Sequence, residues 1–165
     1  MPPPLRAAAG LGVSYRPITE DDIPFLAAVY FSTRGEEVAA TGWPVEMQQQ
    51  FLAQQFDAQH RHYQRHYPDA EWLVIERGGE AVGRLYIEEW PTQIRIIDIA
   101  LLPAARGFGV GAAIFEDMFD LARSRGKKVS IHVEKNNPAR GLYLRLGFET
   151  VADEGVYDLM EWPPD

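Results

Sequence analysis

Residues 96–115, IIDIALLPAARGFGVGAAIF, join a strongly apolar run to an amphipathic one through a proline and three alternate glycines. The apolar run reads as a strand. The second run repeats apolar side chains at Val110, Ile114, Met118 and Leu121, the interval of a helix with one buried face. Between them Arg106, Gly107, Phe108, Gly109, Val110, Gly111 and Ala112 form a turn into the helix start. A strand, a glycine turn and a helix N-terminus bring unpaired backbone N–H groups and the positive end of a helix dipole to one point, which suits a phosphate. Glycines at 107, 109 and 111 leave room for close approach, and Arg106 can add a charge-assisted bond. The same glycines could instead serve tight packing of helix on strand. The Rossmann fingerprint fails because Ala112 stands where its third glycine is needed, and the P-loop fails because no Gly-Lys-Ser/Thr follows.

On the N-terminal side, EWLVIER (71–77), AVGRLYIEE (81–89) and IRIIDIALL (94–102) are separated by turns at Gly78-Gly79 and Trp90-Pro91-Thr92. They predict a three-stranded antiparallel meander. Earlier still, Val13 to Arg16 predicts a first strand. Thr19, Asp21, Asp22 and Pro24 predict the start of a helix running from Ile23 to about Ser32. Met47, Phe51, Phe56, Tyr63 and Tyr67 predict a second, long helix from Pro44 to about His66. On the C-terminal side KKVSIHVE (127–134) is a strand, and Asn137-Pro138 opens a short helix that Gly147 closes. Residues 148–162 read as a hairpin turning at Asp153-Glu154-Gly155. The order β-α-α-β-β-β-α-β-α-β-β predicts an α/β fold of the α+β type, one central mixed and mostly antiparallel sheet flanked by helices. Residues 1–12 are expected as a flexible tail and 13–165 as a single domain.

The 165 residues, 46% hydrophobic, suffice for one core. No cysteine is present, which excludes disulfides, thiolate metal sites and thiol catalysis. A net charge of −8 disfavours nucleic acid and favours a cationic or amine partner. The opening MPPPLRAAAGLG lacks the layout of a secretory signal, and no run approaches a membrane span. A cytoplasmic protein is expected, without membrane or nucleic-acid partners and with a homodimer left open. His62 and His66 have i, i+4 spacing, but no carboxylate motif accompanies them. With His60 they read as a solvated helix face, so no metal is expected.

A second motif gives the glycine turn a context. HVEKNNPARGLYLRLGFE (132–149) places Asn136, Ala139, Leu142, Tyr143, Gly147 and Phe148 at the spacing N-x-x-A-x-x-L-Y-x-x-x-G-F. Ala139 and Tyr143 share a helix face, so a phenol projects beside a small residue that leaves room for a ligand. Taken alone, Tyr143 could equally be core filler. With this motif in place, the chain resembles the GCN5-related N-acetyltransferase (GNAT) family. The likeness lies in the Arg/Gln-x-x-Gly-x-Gly/Ala loop at Arg106, Gly109 and Gly111, in the Asn136 to Phe148 segment, and in the element order from Tyr15 onward.

The resemblance implies acetyl-CoA as co-substrate and direct transfer of its acetyl group to a primary amine of a small molecule or peptide. A catalytically silent acyl-CoA-binding module is the alternative. The donor would lie where IRIIDIALL and KKVSIHVE splay apart. Its pyrophosphate would rest on the N–H groups of Phe108 to Ala112, and its pantetheine arm would pair with backbone at Ala100, Leu101 and Leu102. The N–H near Leu101 would stabilise the oxyanion, Tyr143 would protonate the departing sulfur, and Asn136 would orient the cofactor arm or a water. An alkyl amine, with a pKa of about 10.4, must first lose a proton. Asp98, the acid inside IIDIALL, is the candidate base, unless Arg84 claims it as a cross-strand ion pair. Glu88, Glu89, His132 and Glu134 are further candidates, and a water chain to bulk could replace a single base altogether. The resemblance further implies that the segment Thr33 to Trp43, between the first two helices, shapes the acceptor pocket with Arg34, Glu36, Glu37 and Trp43 as contacts; a polar surface loop is the equal alternative.

Overall fold

Thr19 opens the helical part of the chain with a reciprocal cap. Its side chain meets Asp22, whose carboxylate accepts the Thr19 N–H at 2.8 Å. In the computed structural model, which describes residues 2–163, the order is β1 (Val13–Pro17), α1 (Ile23–Ala39), α2 (Val45–His66), β2 (Glu71–Arg77), β3 (Glu80–Glu89), β4 (Gln93–Leu101), α3 (Val110–Arg125), β5 (Lys128–Glu134), α4 (Arg140–Arg145), β6 (Glu149–Glu154) and β7 (Tyr157–Trp162). This is the predicted order. Met1, Pro164 and Asp165, at the ends of the expected tail and domain, lie outside the described residues.

Among the described residues seven strands form one sheet in the order β1-β2-β3-β4-β5-β7-β6. Every pairing is antiparallel except β4 with β5. Alternation sends Leu73, Ile75, Leu85, Ile87, Ile94, Ile96, Val129, Ile131 and Val133 into one core with the α3 residues Ile114, Phe115 and Met118. On the opposite face Leu26, Tyr30 and Val38 of α1 pack with Leu52 and Phe56 of α2.

Two boundaries depart from expectation. Helix α1 continues to Ala39, so Arg34, Glu36 and Glu37 lie on a helix and only residues 40–44 separate it from α2. The good helix formers Glu36, Glu37, Ala39 and Ala40 carry the helix past Gly35, and Val38 is buried beneath it. Within the segment expected as a flexible tail, the Ala7 and Ala8 N–H groups donate to the two oxygens of Asp117 at 2.8 and 3.0 Å. Asp117 is itself buried on α3. A buried carboxylate needs such donors, and here they tie the N-terminal segment to α3.

Candidate active site

β4 and β5 run parallel and pair from Gln93↔Lys128 to Ile96↔Ile131, where the pairing ends. Both strands continue, β4 to Leu101 and β5 to Glu134. The separation begins at a bulge: Tyr86 faces Asp98 while the next residue, Ile87, faces Ile96, which leaves Ile97 as the extra residue of β4. Burial changes at the same point. Ile94 to Ile96 are buried, whereas Ile97 to Leu101 are half-buried.

The free edge of β4 can be assigned residue by residue. Leu102 donates its N–H to Val82 O on the β3 side at 2.8 Å. Backbone groups alternate in direction along a strand, so Ala100 also turns toward β3, where Arg84 is its partner. Leu101 and Ile99 turn toward the open side. Of the three residues expected to pair with a pantetheine arm, Leu101 alone presents its N–H there, and Ala100 and Leu102 direct theirs to β3. Ile99, which the sequence motifs do not single out, also turns its N–H to the open side. Strand alternation counted back from Pro103 could have found it.

The glycine turn stands beyond the end of β4. Gly107 and Gly109 have φ of 84° and 79°, the left-handed region that favours glycine. The first bond into α3 runs from Ala113 N–H to Gly109 O at 3.0 Å, so the N–H groups of Val110, Gly111 and Ala112 precede the intrahelical ladder. A Cβ on Gly107, Gly109 or Gly111 would meet nothing within 4 Å, which rules out tight helix-to-strand packing as the reason for these glycines. Arg106 donates from Nε to Leu101 O at 3.0 Å, which leaves the rest of its guanidinium for an anion. Phe108 is 58% exposed, with the Arg77 guanidinium 5.3 Å from its ring centre.

Tyr143 enters from α4 and is 5% exposed. Its ring packs edge-on to Phe115 at 5.4 Å. Burial, with the charge of Asp98 adding to it, pushes the phenol up to about 12, so Tyr143 carries its proton at neutral pH. The residue is therefore both core filler and a proton-bearing group within the field of Asp98. Asn136 is exposed at the turn before α4. Its neighbour Asn137 supports the helix start, with Oδ1 accepting the Ala139 N–H at 2.8 Å.

Asp98 is paired with Arg84. The register places Tyr86, not Arg84, opposite Asp98, so the ion pair spans a diagonal of the sheet. Arg84 is also held by Gln59 of α2, 3.0 Å from Nη2. Arg34 of α1 grips both oxygens of Glu134, with Nη1 3.0 Å from Oε2. The other acids considered lie elsewhere. Glu89 pairs with Arg125 and Lys127, and Glu88 accepts the Trp90 Nε1–H at 3.0 Å; both sit where β4 is still closed by β5. His132 contacts Glu154 at 2.8 Å and Arg95 at 3.2 Å, and burial followed by the Arg95 charge lowers its pKa. His62 and His66 stack at 3.9 Å on exposed α2. Among the described residues no group of three or more metal-ligating side chains is assembled, and no helix is long and apolar enough to cross a membrane. Two surface hollows, of about 490 and 230 Å³, include Lys128 and Ile94 in their linings and so lie at the closed end of β4 and β5.

A bulged strand leaving its parallel neighbour, with a glycine-led helix start beyond its end, is the arrangement that the resemblance to the GNAT family implies. The model of the Acetyltransferase (GNAT) family matches residues 38–148, well over half of the chain, and the protein belongs to that family. A curated relative from Bacillus subtilis (strain 168), named putative [ribosomal protein bS18]-alanine N-acetyltransferase, is 32% identical over 84 residues, 50% of this chain and 56% of that protein. The chain thus matches little more than half the length of that relative. An acetyltransferase from Thermus thermophilus superposes with a TM-score of 0.67 at 20% identity, over 93% of this chain and 98% of that one. The PaiA N-acetyltransferase from Thermoplasma acidophilum, solved with coenzyme A, gives 0.66 at 14% identity, over 90% and 97%. At these identities the likeness is one of fold.

Proposed function

We propose that the protein moves an acetyl group from acetyl-CoA to a primary amine of a small molecule or peptide. The observation that carries this reading is the opening of β4 from β5 after Ile96 and Ile131, with α3 following β4 in the chain and α4, which bears Tyr143, following β5. The donor supplies an activated acetyl thioester, and the chain's own residues suit its parts. Val110 to Ala112 offer N–H groups to a pyrophosphate, with Arg106 adding charge. Ile99 and Leu101 offer a strand edge to an extended amide-bearing arm. Asn136 stands exposed beside α4 to orient that arm. The Leu101 N–H is available to a developing oxyanion, and Tyr143 holds the proton that a departing thiolate needs. The curated relative is named for an alanine of a ribosomal protein, which supports a peptide amine as one acceptor class. A cytoplasmic location belongs to the same proposal.

Thiol release from acetyl-CoA in the presence of an amine panel tests the reading. We expect release with wild type, and a fall in kcat of about 100-fold in Tyr143→Phe with acetyl-CoA affinity within about twofold. Equal turnover in the variant removes Tyr143 as the acid. Binding of acetyl-CoA without release to any amine returns the protein to the class of silent acyl-CoA-binding modules.

A further inference from the structure

Two carboxylates flank the open part of the β4–β5 seam on the α1/α2 side, Asp98 on β4 and Glu134 on β5, and each is matched by an arginine. Arg84 is 3% exposed and pinned by Gln59. Arg34 takes Glu134 bidentately, and the Tyr157 hydroxyl of β7 reaches the same carboxylate at 3.5 Å. The other groups whose titration Asp98 perturbs are tyrosines: Tyr63 on α2, Tyr86 on β3 and Tyr143 on α4. Around Arg34 stand Tyr30 and the exposed Glu37, both of α1, and around Arg84 stand Tyr30 and His60 of α2. Asp98 and Glu134 are thus each matched by an arginine, and the exposed Glu37 is a third acid at the edge of the group.

The Arg34 fork occupies the lone pairs through which Glu134 would accept a proton, whereas Arg84 offsets the charge of Asp98 as an ion pair, with no hydrogen bond to Asp98 Oδ2. Glu134 is accordingly kept below the usual carboxylate range, the Arg34 hydrogen bond being the main cause. An alkyl amine of pKa about 10.4 arrives as a cation and finds both carboxylates of the seam already paired with arginine. An α-amino group, with a pKa of about 7.7–8.0, is substantially neutral already.

We propose that Arg34 and Arg84 are specificity-determining residues: by pairing Glu134 and Asp98 they restrict the acceptor to weakly basic amines, such as the α-amino group of a peptide, and disfavour strongly basic ones such as a lysine side chain. The inference rests on the acetyl-transfer reading and extends it to the class of amine. In the step, the neutral nitrogen forms the C–N bond to the acetyl carbon as the C–S bond breaks. The sulfur takes the Tyr143 proton, the extra proton on the product nitrogen leaves to water, and water restores the phenol.

The test uses the full chain, acetyl-CoA and one peptide with a free N-terminus and an internal lysine, beside its N-terminally blocked twin. Rates are followed by thiol release from pH 6.5 to 9.5 and sites by mass mapping. We expect kcat/KM for the α-amine to exceed that for lysine by about 100-fold at pH 7.5, rising to a plateau near the amine's own pKa. Arg34 is 28% exposed in its side chain, so Arg34→Gln should fold. It should narrow the ratio about tenfold, chiefly through KM for the lysine peptide, and Arg34→Lys should restore it. Arg84→Met should move the ratio in the same direction. A purely structural role would lower both rates together and leave the ratio alone. Comparable lysine modification by wild type, or an unmoved ratio in Arg34→Gln, overturns the inference while leaving acetyl transfer standing. Thiol release with neither peptide, despite acetyl-CoA binding by calorimetry, overturns the transfer reading and this inference with it.

Discussion

Gln93–Ile96 and Ile97–Leu101 are halves of one strand, yet β5 closes only the first. Both halves are rich in isoleucine. In the closed half Ile94 and Ile96 are buried against α3 and neighbouring strands. In the open half one extra residue at Ile97 turns the strand, and backbone groups that would have met β5 are left to the gap. The difference teaches that apolar content alone does not decide what a strand does here. Pairing does: stability resides in the closed half and chemistry in the open one.

Two substitutions and a pH series probe that division beyond the loss of turnover expected for Tyr143→Phe. The largest effect on stability is expected in the closed half. Ile96→Ala should lower unfolding free energy by about 3–4 kcal/mol in urea titrations, with the affinity for acetyl-CoA retained in the folded fraction. A loss below about 1 kcal/mol would break the assignment of stability to the closed half. Gly83→Ala comes next, because it strikes the open half through its backbone. An added Cβ at Gly83 would lie 2.3 Å from Ala100 O and 2.9 Å from Leu101 Cδ2. We expect a cost of about 2 kcal/mol together with weakened acetyl-CoA binding, since the displaced Leu101 is part of the free edge. Full binding in Gly83→Ala would show that the edge is not the donor's seat.

The smallest effect concerns pH. Arg34 holds the carboxyl of Glu134 below its ordinary range. A depressed folded-state value adds stability that is present above the unfolded pKa of about 4.3 and is lost as pH falls through the folded one. Wild type should therefore exceed Arg34→Gln by about 1 kcal/mol at pH 7, and the two melting temperatures should converge on acidification. A gap that persists at pH 2 would point to packing of the guanidinium stem in place of the ion pair.

Much of this was legible in the chain before any coordinates. The order of elements followed from caps, glycines and periodicity, and the glycines of the Arg106 to Gly111 turn announced the start of α3. Three features were not legible, for physical reasons. The run IIDIALL is uniformly apolar around Asp98, so nothing in it announces the bulge at Ile97, and the diagonal pairing of Arg84 with Asp98 depends on that bulge. Gly35 lowers helix propensity just past Ser32, while the burial of Val38 that sustains the helix comes from tertiary packing against α2. The hold of Ala7 and Ala8 on Asp117 joins residues 110 and 109 apart in sequence, and small apolar residues carry no signal of such a partner.

Amide hydrogen exchange of β4, read residue by residue by NMR with and without acetyl-CoA, tests the central claim most directly. If the donor lies along the open half as an added strand, exchange at Ile99 and Leu101 slows by about tenfold or more on addition, whereas Ala100 and Leu102, already turned toward β3, change little. Unchanged exchange at Ile99 and Leu101 under saturating acetyl-CoA would contradict the account.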